Sequence, residues 1–336
     1  MEYSIDIVGP YPPPFGGISI HIYRMREHLI SNKFKHRIYN HYYFEDLSNN
    51  IHSTNHSALW WMKFLITKHS PIVHFHQFSP LQFIYLFIFS LTNKSKLILT
   101  IHNEKILSYP PLIKFIIIYL ARFTKFEHLI VVSERLCAFL KKNGVPNVKW
   151  LPAYIPPVEA NKNLHLNNNE QDFIFFNAWR ISNKNDFLVY GLDLLFKLAR
   201  DRPTLKIKAF IGDLASRNYI DSLEEKNLIK NVFFVYGQSL VDNFTSAKLF
   251  LRLNRNDAYG ISIQEALDLS VPAIASNVCT RPSGTVLFNP DDYSSLIEKV
   301  DAVLAGPKEI YLAGRKSTDY HTQLIKIYKS LIEEFD

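Results

Sequence analysis

The chain has 336 residues, of which 47% are hydrophobic and 21% charged, and its formal net charge is +7. This composition is typical of a globular protein and excludes an intrinsically disordered one. The length exceeds what a single hydrophobic core usually holds, so we expect two domains.

The positive charge is concentrated in the first half. Residues 1–155 contain 17 Lys and Arg against 8 Asp and Glu, whereas the remainder contains 21 against 23. Two apolar stretches lie in this basic half, residues 81–91 and 112–123. Both are shorter than the roughly 18–20 residues of a membrane span. They are either buried helices or part of a basic, apolar face that rests on an anionic membrane surface.

Several other classes are disfavoured. No nucleic-acid-binding motif accompanies the basic residues, so we expect no nucleic-acid partner. The first residues carry acids and do not resemble a signal peptide. Cys137 and Cys279 lie far apart without a metal or redox spacing, which indicates a reducing, cytoplasmic compartment.

In the first half, continuous apolar runs rich in β-branched residues predict buried parallel strands. The runs are SIDIVG, HRIYNHYYF, IVHFHQ, KLILTIH, HLIVVS and VKWLPAYI. Helical stretches separate them, such as ISIHIYRMREHL, whose apolar residues fall on one face. We therefore expect an N-terminal Rossmann-like domain over residues 1–156.

Residues 157–171 are polar and rich in Asn, which predicts a linker. Alternating strand and helix patterns then resume and predict a C-terminal Rossmann-like domain over residues 172–318. Among its predicted helices are YIDSLEEKNLI and VDNFTSAKL. A last helical segment, residues 319–336, is expected to pack back on the first domain. The expected fold class is thus α/β, with two doubly wound sheets across a cleft.

Polar residues and glycines follow several predicted strands. Gly16 and Gly17 precede the first helix, where they would let backbone amides approach an anion, although a turn that simply needs glycine gives the same pattern. His74 and His76 share one face of a strand. Because later strands supply no further ligands, we expect no metal site there. His102 ends the next strand and is expected to have a polar role at the site.

Two segments of the second domain favour a phosphate-bearing ligand. Arg180 and Lys184 follow its first strand, where cations suit a diphosphate, although a solvated loop is the alternative. Asp257 and Glu265 flank a predicted helix start. Ser262 and Glu265 match a capping box, but the same helix start would also present amides to an anion.

Taken together and in order, these segments resemble the family 4 retaining glycosyltransferases of the GT-B fold. The resemblance rests on PPPFGGIS, IVHFHQ, TIHNE, LIVVSERLCAFLKKNGVPNVKWLPAYI, NAWRI with YGLDLL, and NDAYGISIQEALDLSVPAIAS. The last segment resembles the family motif in which seven residues separate two glutamates.

The resemblance implies roles for individual residues. Glu265 would hold the ribose of a nucleoside-diphosphate-sugar donor, Asp257 the hydroxyls of the transferred sugar, and Arg180 the leaving diphosphate. Gly16 and Gly17 would lie near the donor phosphates and His102 near the sugar ring. The donor-binding backbone would be the segment Tyr259, Gly260, Ile261 and Ser262. Enzymes of this type are generally viewed as independent of metals, so neither a cofactor nor a metal ion is expected.

This sequence departs from the family pattern at three places. Asp257 stands where glutamate is usual, and Asn103 stands where an acid often follows the histidine. Tyr190 replaces the lysine before Gly191, and Lys184 is the candidate to take over its phosphate contact.

The expected function is transfer of a sugar to a membrane-associated glycan or lipid-linked oligosaccharide, in bacterial surface polysaccharide synthesis. The enzyme would be peripheral on the inner face of the cytoplasmic membrane. A non-catalytic GT-B scaffold subunit and a nucleotide-sugar epimerase are the alternatives.

Overall fold

The computed structural model describes residues 4–13, 16–54, 57–76, 79–157, 173–224, 228–314 and 320–334, apart from the side chains of residues 242 and 245. The chain divides into two compact units. Unit 1 comprises Met1–Glu159 and Asp319–Asp336, and unit 2 comprises Ala160–Thr318. The predicted linker, residues 157–171, lies outside the described residues except for residue 157.

Unit 1 is built on a seven-stranded parallel sheet in the order β3-β2-β1-β4-β5-β6-β7. Its strands are β1 (Ile5–Gly9), β2 (His36–Asn40), β3 (Ile51–Ser53), β4 (Ile72–Phe75), β5 (Lys96–Ile101), β6 (Phe126–Val131) and β7 (Val148–Trp150). Its helices are α1 (Gly17–Ser31), α2 (Ala58–Ile66), α3 (Pro80–Thr92), α4 (Pro111–Phe123) and α5 (Glu134–Lys142), with the C-terminal helix described below.

The sheet of unit 1 has a hydrophobic core on each face. One core packs α2, α3, α4 and α5 against the sheet through side chains such as Phe75, Phe89 and Leu136. The other packs α1 together with the C-terminal helix Tyr320–Glu333 through Ile7, Met25 and Tyr328. The helix Tyr320–Glu333 is thus part of unit 1, although it follows unit 2 in the chain.

Unit 2 contains a six-stranded parallel sheet in the order β10-β9-β8-β11-β12-β13. The strands are β8 (Phe173–Ala178), β9 (Lys206–Ile211), β10 (Val232–Tyr236), β11 (Ala247–Arg252), β12 (Ala273–Ser276) and β13 (Val286–Phe288). The helices are α6 (Lys184–Val189), α7 (Leu192–Asp201), α8 (Ser216–Asp221), α9 (Ile261–Asp268), α10 (Tyr293–Ala305) and α11 (Lys308–Leu312). We number the C-terminal helix Tyr320–Glu333 as α12.

The two parallel α/β sheets confirm the predicted fold class. In each sheet the strand order reverses once, between β1 and β4 in unit 1 and between β8 and β11 in unit 2. Parallel α/β sheets bind ligands at the carboxyl ends of the strands beside such a reversal. A ligand-binding site within either unit is therefore expected at this edge of its sheet.

Local predictions differ from the structure in three places. The segment VDNFTSAKL, predicted as a helix, forms a 3₁₀ helix over Val241–Ser246 and then enters β11 at Ala247. In the segment YIDSLEEKNLI, predicted as one helix, α8 ends at Asp221, residue 224 is again helical, and residues 225–227 are not described. The edge strands β3 and β13, each of three residues, are absent from the predicted set. Among the described residues, no helix has both the length and the apolarity needed to cross a bilayer.

Candidate functional site

The carboxyl edge of β11 in unit 2 holds a largely buried cluster of charges centred on Asp257, whose side chain is 11% exposed. The carboxylate of Asp257 accepts bonds from Arg252 through Nε at 2.9 Å and Nη2 at 3.0 Å. Arg281 adds a bond from Nη1 at 2.6 Å, and the amide of Ala258 one at 3.0 Å. A carboxylate has about four lone-pair positions, so these four N–H donors occupy its hydrogen-bonding capacity.

Burial and charge act in opposite directions on this carboxylate. Burial raises the pKa of Asp257, but Arg252 and Arg281 outweigh it and hold the pKa below its usual range. The pKa of Arg252 is correspondingly raised, because Asp257 outweighs the effect of its burial. Asp257 is thus a permanent anion between two permanent cations.

The cluster extends to the next strand through Asn177 on β8. The side-chain oxygen of Asn177 accepts a bond from Arg252 Nη1 at 2.9 Å and one from the Ser262 hydroxyl at 3.4 Å. Arg281 is also fixed to the end of β12, because its Nε donates a hydrogen bond to the carbonyl of Ser276 at 2.9 Å. The ends of β8, β11 and β12 and the start of α9 are therefore joined by one polar network.

Gly260 precedes helix α9 as its N-cap residue, and no side chain caps this helix start. Gly260 has φ +83°, and a Cβ there would lie 2.6 Å from Ile263 Cδ1 and 3.0 Å from Arg281 Nη1, so only glycine fits. The capping box of Ser262 and Glu265 is not observed, because α9 begins at Ile261 and both residues lie inside it. Both of these side chains are buried.

The predicted cationic pair lies on the loop and helix after β8. Arg180 is 56% exposed and forms an ion pair with Asp213 at 3.4 Å, and Lys184 is the exposed first residue of α6. Tyr190 lies deeper, and burial raises the pKa of its hydroxyl, which also feels the charges of Arg252 and Asp257. The hydroxyl of Tyr190 thus shares the electrostatic environment of the Asp257 cluster.

Gly191 is fixed by packing. Its φ is +75°, and a Cβ would lie 2.3 Å from the carbonyl oxygen of Leu253. Helix α7 therefore begins directly against the end of β11, and the glycine that follows Tyr190 serves this close approach.

In unit 1, two glycines before α1 lie where the packing would also leave room for a side chain. Among the described residues, a Cβ on Gly17 would meet nothing within 4 Å, and one on Gly16 only the Ser19 hydroxyl at 3.9 Å. The hydroxyl of Ser19 accepts a bond from the Gly16 amide at 2.8 Å. Gly16 and Gly17 thus have open space beside their Cα atoms among the described residues.

Three histidines meet at the same edge of unit 1. His21 lies on α1, and His76 and His102 follow β4 and β5 directly. One ring nitrogen of each lies within 4.8 Å of the others. Burial lowers the pKa of His21 to about 4 and holds the pKa of His76 and His102 well below the usual range. All three imidazoles are therefore neutral at pH 7.

His74, one of the pair His74 and His76, has a structural role. Its Nδ1 lies 2.5 Å from the Tyr328 hydroxyl on α12, and its Nε2 lies 2.8 Å from the Thr100 hydroxyl. Both ring nitrogens of His74 are thus used by neighbouring elements.

Residues 164–316, somewhat less than half of the chain, match the family model described as glycosyl transferases group 1. None of the curated proteins matches the sequence. Similar solved structures include a sucrose-phosphate synthase from Thermosynechococcus elongatus, with 15% identity, a TM-score of 0.72, and coverage of 98% of this chain and 99% of that chain. HepE of Anabaena, in complex with UDP and glucose, has 12% identity, a TM-score of 0.69, and coverage of 98% and 100%.

A third similar structure is WaaG, a glycosyltransferase involved in lipopolysaccharide biosynthesis, with 14% identity, a TM-score of 0.68, and coverage of 97% of this chain and 99% of that chain. The chain has the GT-B fold. At these identities the similarity is one of fold, and the roles of individual residues depend on the geometry described above.

Four residues of these clusters were not predicted from the sequence. Arg252 had a usable signal, because an arginine at the end of an otherwise apolar strand is costly to bury without a partner. Asn177 and Arg281 carried no local signal, since their partners are distant in sequence. His21 was interpreted only as part of a helix.

Proposed function

We propose that the protein is a retaining glycosyltransferase that moves a sugar from a nucleoside diphosphate to a membrane-associated glycan or lipid-linked acceptor in surface polysaccharide synthesis. The observation that carries the proposal is the uncapped start of α9 beside the guanidinium groups that Asp257 holds. Free helix amides and fixed cations are a suitable environment for a diphosphate. The match of residues 164–316 to group 1 glycosyl transferases supports it.

We propose that the donor binds unit 2. The backbone from Tyr259 to Ser262 would bind the diphosphate, and buried Glu265 would accept bonds from the ribose hydroxyls. Arg180, on a solvent-exposed loop, would neutralise charge as the diphosphate leaves. Fixed donors directed at developing charge lower the barrier without a metal ion or a cofactor, so we propose that transfer requires neither. HepE was solved with UDP and glucose, which suits such a donor.

The geometry suggests a second role for Asp257. Because its carboxylate is filled by two arginines and one amide, we propose that it positions Arg252 and Arg281 beside the start of α9. A contact between Asp257 and sugar hydroxyls, as the resemblance implies, would require one of these bonds to open. The roles of Gly16, Gly17, His102 and Lys184 stay predictions from the resemblance.

A donor panel tests the proposal. We expect a matched nucleoside diphosphate or its sugar to raise the thermal unfolding temperature, since a ligand at 100 times its Kd adds about 2.7 kcal/mol. UDP-, GDP-, ADP- and dTDP-sugars are compared by differential scanning fluorimetry. Stabilisation by none of them would favour a scaffold subunit. Release of an isomerised nucleotide-sugar without acceptor would favour an epimerase.

Unit 1 carries an exposed apolar surface on neighbouring helices. On α4 the residues Leu112, Phe115, Ile116, Tyr119 and Phe123 fall within one face and are exposed. Helices α2 and α3, which pack beside one another, expose further apolar residues, namely Leu59, Met62, Ile66, Leu81, Ile84, Ile88 and Leu91. We name these residues of α2, α3 and α4 the apolar surface.

The apolar surface is accompanied by positive charge. Exposed basic residues on or next to these helices are Lys63, Lys68, Lys94, Arg122 and Lys125, and between residues 47 and 126 the only acid is Glu104. Apolar side chains with a basic surround suit the interface of an anionic bilayer. We propose that unit 1 rests on the inner face of the cytoplasmic membrane through this surface.

Vesicle binding tests the membrane contact. We expect Leu112→Ser with Phe115→Ser to weaken binding to phosphatidylglycerol vesicles at least tenfold, because burying each such side chain contributes about 1.5–3 kcal/mol. Binding is measured by flotation at two salt concentrations. The matched control is Leu214→Ser with Ile310→Ser, two exposed apolar residues of unit 2. Equal binding by both double variants would contradict the assignment.

A further inference from the structure

The cluster of His21, His76 and His102 has the arrangement of a metal site. The Nδ1 of His76 lies 3.2 Å from the Nε2 of His102. Two nitrogens bound to a tetrahedral zinc ion at about 2.0–2.1 Å lie roughly 3.3 Å apart. One nitrogen of His21 is within 4.8 Å of the ligand atoms of the other two histidines, so the rings would have to move closer together to bind one ion.

The tautomer of His21 leaves a free ligand atom. Its Nδ1 lies 2.6 Å from the carbonyl oxygen of Ala153, and a carbonyl can only accept a hydrogen bond. The proton of the neutral ring is therefore on Nδ1, and Nε2 carries a bare lone pair. That Nε2 is buried and has no hydrogen-bond partner among the described residues. A ligating histidine fixed by a carbonyl on its other nitrogen is the usual arrangement at metal sites.

The described neighbours of His76 also leave one of its ring nitrogens without a hydrogen-bond partner. Whichever of His76 and His102 donates in the 3.2 Å contact, the Nε2 of His76 remains buried without a partner in the part of the chain that the structure describes. Leaving a buried polar atom unpaired costs about 1–3 kcal/mol. The bare lone pair of His21 Nε2 therefore points to a missing group that interacts with a nitrogen lone pair, whereas Nε2 of His76 would carry the proton when Nδ1 binds the ion.

We propose that His21, His76 and His102 bind one divalent transition-metal ion of the zinc class. Neutral imidazoles suit Zn²⁺, Co²⁺, Ni²⁺ and Cu²⁺ rather than Mg²⁺ or Ca²⁺, which prefer oxygen ligands. Three histidines leave a fourth position for water in a tetrahedral site. His74 is not a ligand, because Tyr328 and Thr100 occupy both of its nitrogens. The site lies within unit 1, and its binding of metal does not depend on the proposed transfer reaction.

Metal titration of the tag-free, chelator-treated protein tests this proposal. Co²⁺ is added and the visible absorption of tetrahedral Co²⁺ is followed, with Zn²⁺ as competitor. We expect one Co²⁺ per chain, displaced by one Zn²⁺. His21→Gln and His102→Gln are each expected to raise the Kd for Co²⁺ at least 100-fold. Glutamine keeps a polar side chain at each position but removes the ring nitrogens.

His28→Gln is the matched control. His28 also lies on α1 and contacts a backbone carbonyl, that of Pro156 at 2.9 Å, but it is outside the cluster. We expect the His28→Gln variant to bind Co²⁺ with the same Kd as the wild type. Circular dichroism checks folding, and His102→Gln decides the outcome if His21→Gln does not fold. Absence of tetrahedral absorption in the wild type, or equal loss in His28→Gln and the cluster variants, would overturn the proposal.

Discussion

Asp257→Asn is expected to destabilise unit 2 by about 3–5 kcal/mol. The substitution keeps the shape of the side chain but removes the charge that balances Arg252 and Arg281. The side chain of Arg281 is only 1% exposed and that of Arg252 15%, so neither guanidinium is well compensated by water. The amide nitrogen of asparagine would also point a donor at one of these cations, where the carboxylate offers an acceptor. The measurement is urea unfolding, with the transition of unit 2 assigned by hydrogen exchange.

The matched control is Asp213→Asn. Asp213 also pairs with an arginine, but its partner Arg180 is 56% exposed and the pair is separated by 3.4 Å. Exposed pairs of this kind contribute about 0–1 kcal/mol, and we expect a change in that range. Similar losses in the two variants would mean that burial of the Asp257 cluster does not determine its contribution.

The Asp257 cluster also predicts how the stability of unit 2 changes with pH. Because the pKa of Asp257 is lowered by folding, its contribution is complete above the unfolded pKa, about 3.8, and is lost as the pH falls towards the folded value. The difference in stability between wild type and Asp257→Asn should therefore be constant near neutrality and shrink below about pH 4. A difference that grows on acidification would contradict the ion-paired state of this carboxylate.

The strands that position the site were predictable, because buried parallel strands are continuous apolar runs. The ends of β5 and β8 follow directly from KLILTIH and DFIFFNAW. The motif around Asp257 and Gly260 was also visible, since Gly260 precedes an apolar helix. The pairing of Asp257 with Arg281 was not visible, because α9 and β12 separate the two residues in the chain and only the folded sheet brings them together.

The histidine cluster shows a similar limit. His76 and His102 were assigned to strand ends, but the third member, His21, comes from a helix rather than from a later strand. Its position depends on how closely α1 packs on β1. Gly9 permits this contact, since a Cβ there would lie 2.6 Å from Ile22 and 2.9 Å from His76. A sequence pattern gives the face of a helix but not its distance from the sheet.

Glu265→Gln is expected to lower the kcat/KM for the donor about 10- to 100-fold. Glu265 is buried on α9, and its proposed role is to accept bonds from the ribose. Hydrogen bonds to a charged group contribute about 1.5–3 kcal/mol each, and each 1.4 kcal/mol is a factor of ten. The control is Asp268→Asn on the same helix, whose carboxylate accepts a bond from Gln264 at 2.8 Å and has no proposed contact with the donor.

The two kinetic constants separate the proposed roles of Glu265 and Arg180. The ribose does not change during transfer, so Glu265 would bind it equally in the ground state and the transition state. Loss of such uniform binding raises KM and leaves kcat unchanged. Charge on the diphosphate grows as the sugar leaves, so Arg180→Ala should instead lower kcat. Initial rates over a range of donor concentrations measure both constants, and a fall in kcat for Glu265→Gln with an unchanged KM would mean that Glu265 contacts the reacting part of the donor rather than its ribose.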